Sequence, residues 1–161
     1  MINKLHLAMI ELYSGDAKRI QHFCKVHSYA KLIAETENVD EKCLFIIEAA
    51  ALTHDIGIHL CEEKYGNCNG KLQEKEGPAI AEKLLAKLGF DRDISDRVQY
   101  LIAHHHTYSN IDGIDYQILL EADFLVNIME DNLAKDAALK AYQNIFKTAC
   151  GKMICREMFG I

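Results

Sequence analysis

The sequence predicts an all-α protein, a single compact bundle of about six or seven helices over residues 1–161. Three observations carry this. Apolar residues recur at helical spacing almost from end to end, and no segment sustains the alternation of a strand. A single proline, Pro78, leaves little to interrupt helices. The 161 residues suffice for one domain with a sizeable core and are short for two.

Residues 2–13 are amphipathic and form the first predicted helix. Asp16 is a natural N-cap for a second helix reaching about Glu37. Asp40 caps a third, which runs to His54 or Asp55 and is stopped by Gly57. Residues 58–72, IHLCEEKYGNCNGKL, hold two glycines and two asparagines and read as a loop. A helix then runs from about Gln73 or Gly77 to Leu88, closed by Gly89. Residues 93–106 give the next, TYSNIDG is a turn-rich loop, and 114–131 and 135–158 give two final helices.

The formal net charge is −6, with a pI of about 5.7. Such a balance argues against a nucleic-acid duplex or an anionic membrane as main partner, since both select basic surfaces. The N-terminus lacks the pattern of a signal peptide. The apolar run ending at Leu52 falls short of the roughly 20 residues that cross a bilayer. A cytoplasmic location is the expectation. The six cysteines form no C-x-x-C pair and read as reduced thiols, mostly filling core.

The stretch ALTHDIG, 51–57, places a histidine and an aspartate at the end of an apolar helix. An ionised carboxylate in apolar surroundings costs several kcal/mol or more unless a partner compensates. Helical periodicity points to those partners. His22 shares a stripe with Val26, Tyr29 and Ile33; His54 shares one with Ile47, Ala50 and Ala51, with Asp55 beside it. His105 shares one with Val98, Leu101 and Ile102, and Asp123 one with Leu119 and Val126. Four helices thus turn His22, His54–Asp55, His105 and Asp123 inward. Imidazole and carboxylate together suit divalent manganese, iron, cobalt, nickel or zinc.

The order His, His-Asp, His, Asp resembles the HD-domain superfamily of metal-dependent phosphohydrolases, and the resemblance covers nearly the whole chain. RIQHFCKVHSYAKLI is similar to the family's opening His-x3-Val-x3-Ala, and AAALTHDIG to its hallmark. GPAIAEKLLAKLGF, VQYLIAHHHTY and ILLEADFL resemble the three segments that follow. The resemblance implies an HD-type bundle in which His22, His54, Asp55 and Asp123 hold a divalent ion (Mn, Fe, Co, Ni, Zn or Mg). It implies hydrolysis of a phosphate ester or anhydride, with Asp55 and His105 in catalytic roles. The implied partner is a small phosphorylated substrate, most plausibly a nucleotide.

The chain departs from the family pattern in two places. Ile58 and His59 stand where many members carry a lysine after the hallmark, so His59 or Lys71 is the expected substitute for a phosphate-binding cation. Gln73 stands where two-metal members carry a histidine. One metal is therefore expected, with a second if Glu74 or Glu76 and His105 complete its site. His104 and His106 flank His105 and are further candidates for binding phosphate as cationic imidazoles. Glu62 and Glu63 read as solvated, although a carboxylate near the site can protonate a leaving group. His6 and His27 read as surface or hydrogen-bonded histidines. The rival readings are a non-catalytic HD module that binds a nucleotide or partner, and a di-iron oxygenase, which Gln73 fits poorly.

Overall fold

A computed structural model describes all residues, 1–161, as nine helices without strands. They are α1 (Ile2–Leu12), α2 (Ala17–Thr36), α3 (Glu41–Thr53), α4 (Ile58–Tyr65), α5 (Gly70–Leu88), α6 (Arg92–Ile102), α7 (Ile114–Glu130), α8 (Lys135–Asn144) and α9 (Ala149–Phe159).

Helix α3 is the axis of the bundle. It packs against α1, α2, α6 and α7, and every residue from Ile46 to Thr53 is buried. An all-round apolar helix is one surrounded by others, which accounts for the composition of this segment. Asp16 caps α2 by accepting from the Arg19 amide at 3.1 Å, and Asp40 caps α3 by accepting from the Cys43 amide at 2.9 Å. Taken through the turn at 54–57, Glu41–Tyr65 has the length and composition of a membrane-crossing helix. That differs from the sequence expectation. The turn breaks it, however, and 67% of its most apolar window is buried inside the bundle.

Three boundaries differ from the expected ones, and the first two raise the helix count from seven to nine. The segment 58–72 is not a loop. Ile58 and Cys61 bury one side of α4, Gly66 ends it in a left-handed conformation with φ 71°, and Asn69 caps α5 by accepting from the Leu72 amide at 3.1 Å. The asparagine and glycines mark helix ends here.

The helix expected over 135–158 is two helices. The carboxylate of Glu121, on α7, accepts from the amides of Lys147 (2.6 Å) and Thr148 (2.9 Å), while Gln117 donates to the Ile145 carbonyl at 2.8 Å. These bonds take the backbone groups that a continuous helix would pair internally. Thr148 then caps α9 by accepting from the Gly151 amide at 2.9 Å.

Likewise α6 ends at Ile102 rather than 106. The Tyr116 hydroxyl meets the carbonyls of His104 and Thr107 at 2.6 and 2.5 Å, and residues 103–106 form a tight turn.

One close approach positions the hallmark turn. A Cβ on Gly57 would lie 3.0 Å from the Gly77 amide nitrogen, and a Cβ on Gly77 would lie 2.7 Å from Ile102. Only glycine lets the turn after Asp55, helix α5 and helix α6 meet this closely.

Candidate metal centre

Four elements deliver the site. Helix α2 supplies His22, the end of α3 supplies His54 and Asp55, the turn after α6 supplies His105 and His106, and α7 supplies Asp123. His22 Nε2 lies 3.2 Å from His54 Nε2 and 3.3 Å from Asp123 Oδ1. Asp123 Oδ1 is also 3.6 Å from His54 Nε2. Asp55 Oδ2 approaches the same two imidazoles, at 3.4 Å from His54 and 3.5 Å from His22. Its other oxygen, Oδ1, lies 3.4 Å from His105 Nε2. The Tyr13 hydroxyl donates to the Asp55 main-chain carbonyl at 2.7 Å and so fixes the turn that carries the carboxylate.

The imidazoles are oriented from behind. His54 Nδ1 donates to the Ala51 carbonyl at 2.9 Å, and His105 Nδ1 to the Ile102 carbonyl at 2.7 Å. His22 Nδ1 donates to Glu130 Oε2 at 3.0 Å. A neutral imidazole that gives up its Nδ1 proton in this way presents a lone pair at Nε2. In the neutral form three lone pairs converge with the carboxylate oxygens of Asp55 and Asp123, an arrangement that could hold a cation between them. His54, His105 and Asp123 are all buried, so water screens this part of the cluster only weakly.

The ionisation behaviour reflects the pairing of these imidazoles and carboxylates. Burial alone would raise the carboxyl pKa values of Asp55 and Asp123. The neighbouring imidazoles outweigh it and hold both below the usual carboxylate range. Burial alone would lower His54, but the charges of Asp55 and Asp123 push it up to about 9. The donor chemistry fits a divalent metal: neutral imidazole nitrogen and ionised carboxylate, with no thiolate.

The donors form two sets. His22, His54 and Asp123 offer ligand atoms within 4.8 Å of one another, and so do Asp55, His105 and His106. Gln73 lies against the second set, its Oε1 3.2 Å from His105 Nε2 and 2.6 Å from His106 Nε2. Neither glutamate suggested for that place reaches it. Glu74 accepts from the His106 amide (3.0 Å) and the Thr107 hydroxyl (2.9 Å), and Glu76 is bound by Lys64 (3.0 Å) and Tyr65 (2.5 Å).

The proposed phosphate cations are less well placed. Burial and the charge of His105 push His106 down to about 4, so it is neutral near pH 7 and not the cationic imidazole expected. His104 points its Nδ1 back to the Tyr100 carbonyl at 2.7 Å and stacks on the Tyr100 ring, 4.2 Å between centroids. His59 is engaged by Asp16 at 3.0 Å and lies over Tyr13, again outside the donor sets. Lys71 is exposed at the start of α5 and does not line the cleft described next. Glu62 binds Arg19 at 2.5 Å. His27 pairs with Glu48 at 3.0 Å and His6 with Cys24 at 3.0 Å, both away from the centre.

A cleft of about 440 Å³ opens onto His22 and Asp55, and its walls include Lys18, Arg19, Gln73, Asn127 and Glu130. The sequence reading did not select Lys18, Arg19, Asn127 or Glu130. The available signal was spacing: Lys18 lies four residues before His22, and Glu130 seven after Asp123, so each shares a helical face with a predicted ligand.

The HD domain family model matches residues 19–148. The fold is similar to the crystal structure of a predicted HD superfamily hydrolase from an uncultured Thermotogales bacterium. The TM-score is 0.70 at 24% identity, covering 98% of this chain and 84% of that one. No match was found among curated proteins. With most of its length matched to the family and its paired histidine and aspartate at the centre of the donor cluster, the chain belongs to the HD-domain family.

Proposed function

We propose that this protein is a metal-dependent phosphohydrolase that cleaves a phosphate ester or anhydride of a small substrate, most directly a nucleotide. The observation that carries the reading is the Asp55 carboxylate, shared between two sets of inward nitrogens at the floor of an open cleft. A divalent ion bound by His22, His54, Asp55 and Asp123 would supply Lewis-acid activation of water and offset phosphate charge.

The chain's own residues do the rest. Asp55 stays ionised and accepts a proton from the attacking water. His105, fixed through Nδ1, presents the Nε2 lone pair to a second ion, or binds a phosphoryl oxygen when Nε2 carries a proton. Lys18 and Arg19 stand at the cleft wall, where cations bind phosphate oxygens. The cleft admits a small molecule. The nucleotide preference comes from the family resemblance, and Tyr108, 46% exposed beside Phe124, offers a ring near the donor cluster on which a base can stack. Six free cysteines support a reducing compartment such as the cytoplasm.

One observation favours a second reading, a nucleotide-binding module without turnover: an amide oxygen of Gln73, not an imidazole, faces the second donor set. The test is hydrolysis of p-nitrophenyl phosphate and a nucleotide panel with added manganese. The phosphohydrolase reading expects turnover that is abolished by Asp55→Ala. Metal-loaded protein that binds a nucleotide but releases no phosphate would establish the module instead.

A further inference from the structure

The three inward imidazoles are not held alike. His54 and His105 each donate Nδ1–H to a carbonyl three residues back on their own chain. His22 alone donates to a carboxylate, Glu130 Oε2, at 3.0 Å. Glu130 lies on α7, seven residues and two turns beyond Asp123. One helix therefore reaches both nitrogens of the His22 ring, with Asp123 Oδ1 3.3 Å from Nε2 and Glu130 at Nδ1. The second oxygen of Glu130 is bound by Lys25 Nζ at 2.8 Å, and Lys25 is one turn along α2 from His22.

We infer that Glu130 is a positioning residue for the metal centre, which fixes the tautomer of His22 and makes its Nε2 the strongest imidazole donor of the cluster. The inference deepens the metal-dependent reading above and rests on it. A carboxylate behind an imidazole raises its basicity toward a metal more than a peptide carbonyl does, because the carboxylate is charged. Lys25 has a separate duty. It holds Glu130 in place and offsets its charge in a cleft wall that already carries Asp55. The arrangement assigns the tighter metal to the His22, His54 and Asp123 set. The other set draws on His105, backed by a carbonyl, and His106, whose Nε2 meets Gln73.

The test uses the full chain and zinc, which is diamagnetic. Zinc affinity is measured by chelator competition for wild type, Glu130→Gln and Lys25→Met, alongside thermal unfolding of each metal-free protein. Glu130→Gln keeps the size and an acceptor oxygen but removes the charge, and should weaken the tighter site by about 10- to 100-fold. Lys25→Met leaves the bond to His22 and should change affinity by less than about threefold, although it lowers thermal stability. A purely structural ion pair predicts a different outcome for Glu130→Gln: both variants lose stability and neither loses affinity. Wild-type protein gives an independent readout should a variant misfold, since nitrogen-15 spectra of the zinc form should show His22 protonated at Nδ1. Zinc affinity of Glu130→Gln within twofold of wild type, or a His22 proton on Nε2, would overturn the inference while leaving the metal centre intact. Absence of zinc binding by wild type would overturn the centre itself.

Discussion

Asp55 and His105 meet at 3.4 Å, Oδ1 to Nε2, while the other Asp55 oxygen faces His54 at 3.4 Å. One carboxylate therefore joins the two donor sets. Replacing Asp55 by alanine should remove bound metal from both and reduce phosphate-ester turnover to background, leaving helical content near wild type. Elemental analysis beside circular dichroism checks this, and full metal content in the variant would refute the shared role.

His105, in the turn after α6, and His27, on α2, stand in different surroundings. His105→Ala should lower turnover by about 10²-fold or more, as losing an electrostatic contact to the transition state commonly does. His27→Ala breaks only the pair with Glu48 and should leave turnover within about threefold, at a stability cost of about 1 kcal/mol. Rates measured side by side with saturating manganese decide. Equal losses would mean that His105 has no special place.

Gln73 holds the position beside His105 and His106 that an imidazole would fill as a ligand. The expected stoichiometry is one tightly held metal and a second bound more weakly. Gln73→His should convert the second to tight binding, raising the metal count after dialysis toward two per chain. If wild type already retains two after dialysis against a chelator, the amide oxygen is a sufficient ligand and the expectation fails.

Lys18 lines the cleft one turn before His22 and is exposed there. Lys18→Ala should raise KM for a phosphate ester by about 5- to 20-fold, the scale of one charge-assisted contact, with metal content unchanged. An unaltered KM would move the phosphate site to another wall of the cleft.

Glu121 is a buried carboxylate that the chemistry does not use. It accepts from Gln117, from the Lys147 and Thr148 amides and from the Thr148 hydroxyl. Glu121→Ala strands these donors and should cost about 3–5 kcal/mol in denaturant unfolding. Gly151→Ala should also destabilise, since its Cβ would clash with Glu121 Oε2. A loss below about 1 kcal/mol for Glu121→Ala would show that water replaces the carboxylate.

The sequence by itself determined the helical class, the N-caps at Asp16 and Asp40, and which face of each long helix is buried. Those properties are local: period, capping and charge act within a few residues along the chain. For the same reason His22, His54, Asp55, His105 and Asp123 were legible as inward-facing groups before any contact was known. Tertiary structure decided the rest. The break at 145–148 exists because Glu121, from a helix distant in sequence, takes the backbone amides there. The exclusion of Glu74 and Glu76 from the second donor set follows from His106, Thr107, Lys64 and Tyr65 reaching them first. In sequence Glu130 shares a helical face with Asp123, but nothing local names its partner. Only the packing of α7 on α2 sets it behind His22, because a hydrogen bond between helices depends on their separation and rotation, and no local pattern encodes either.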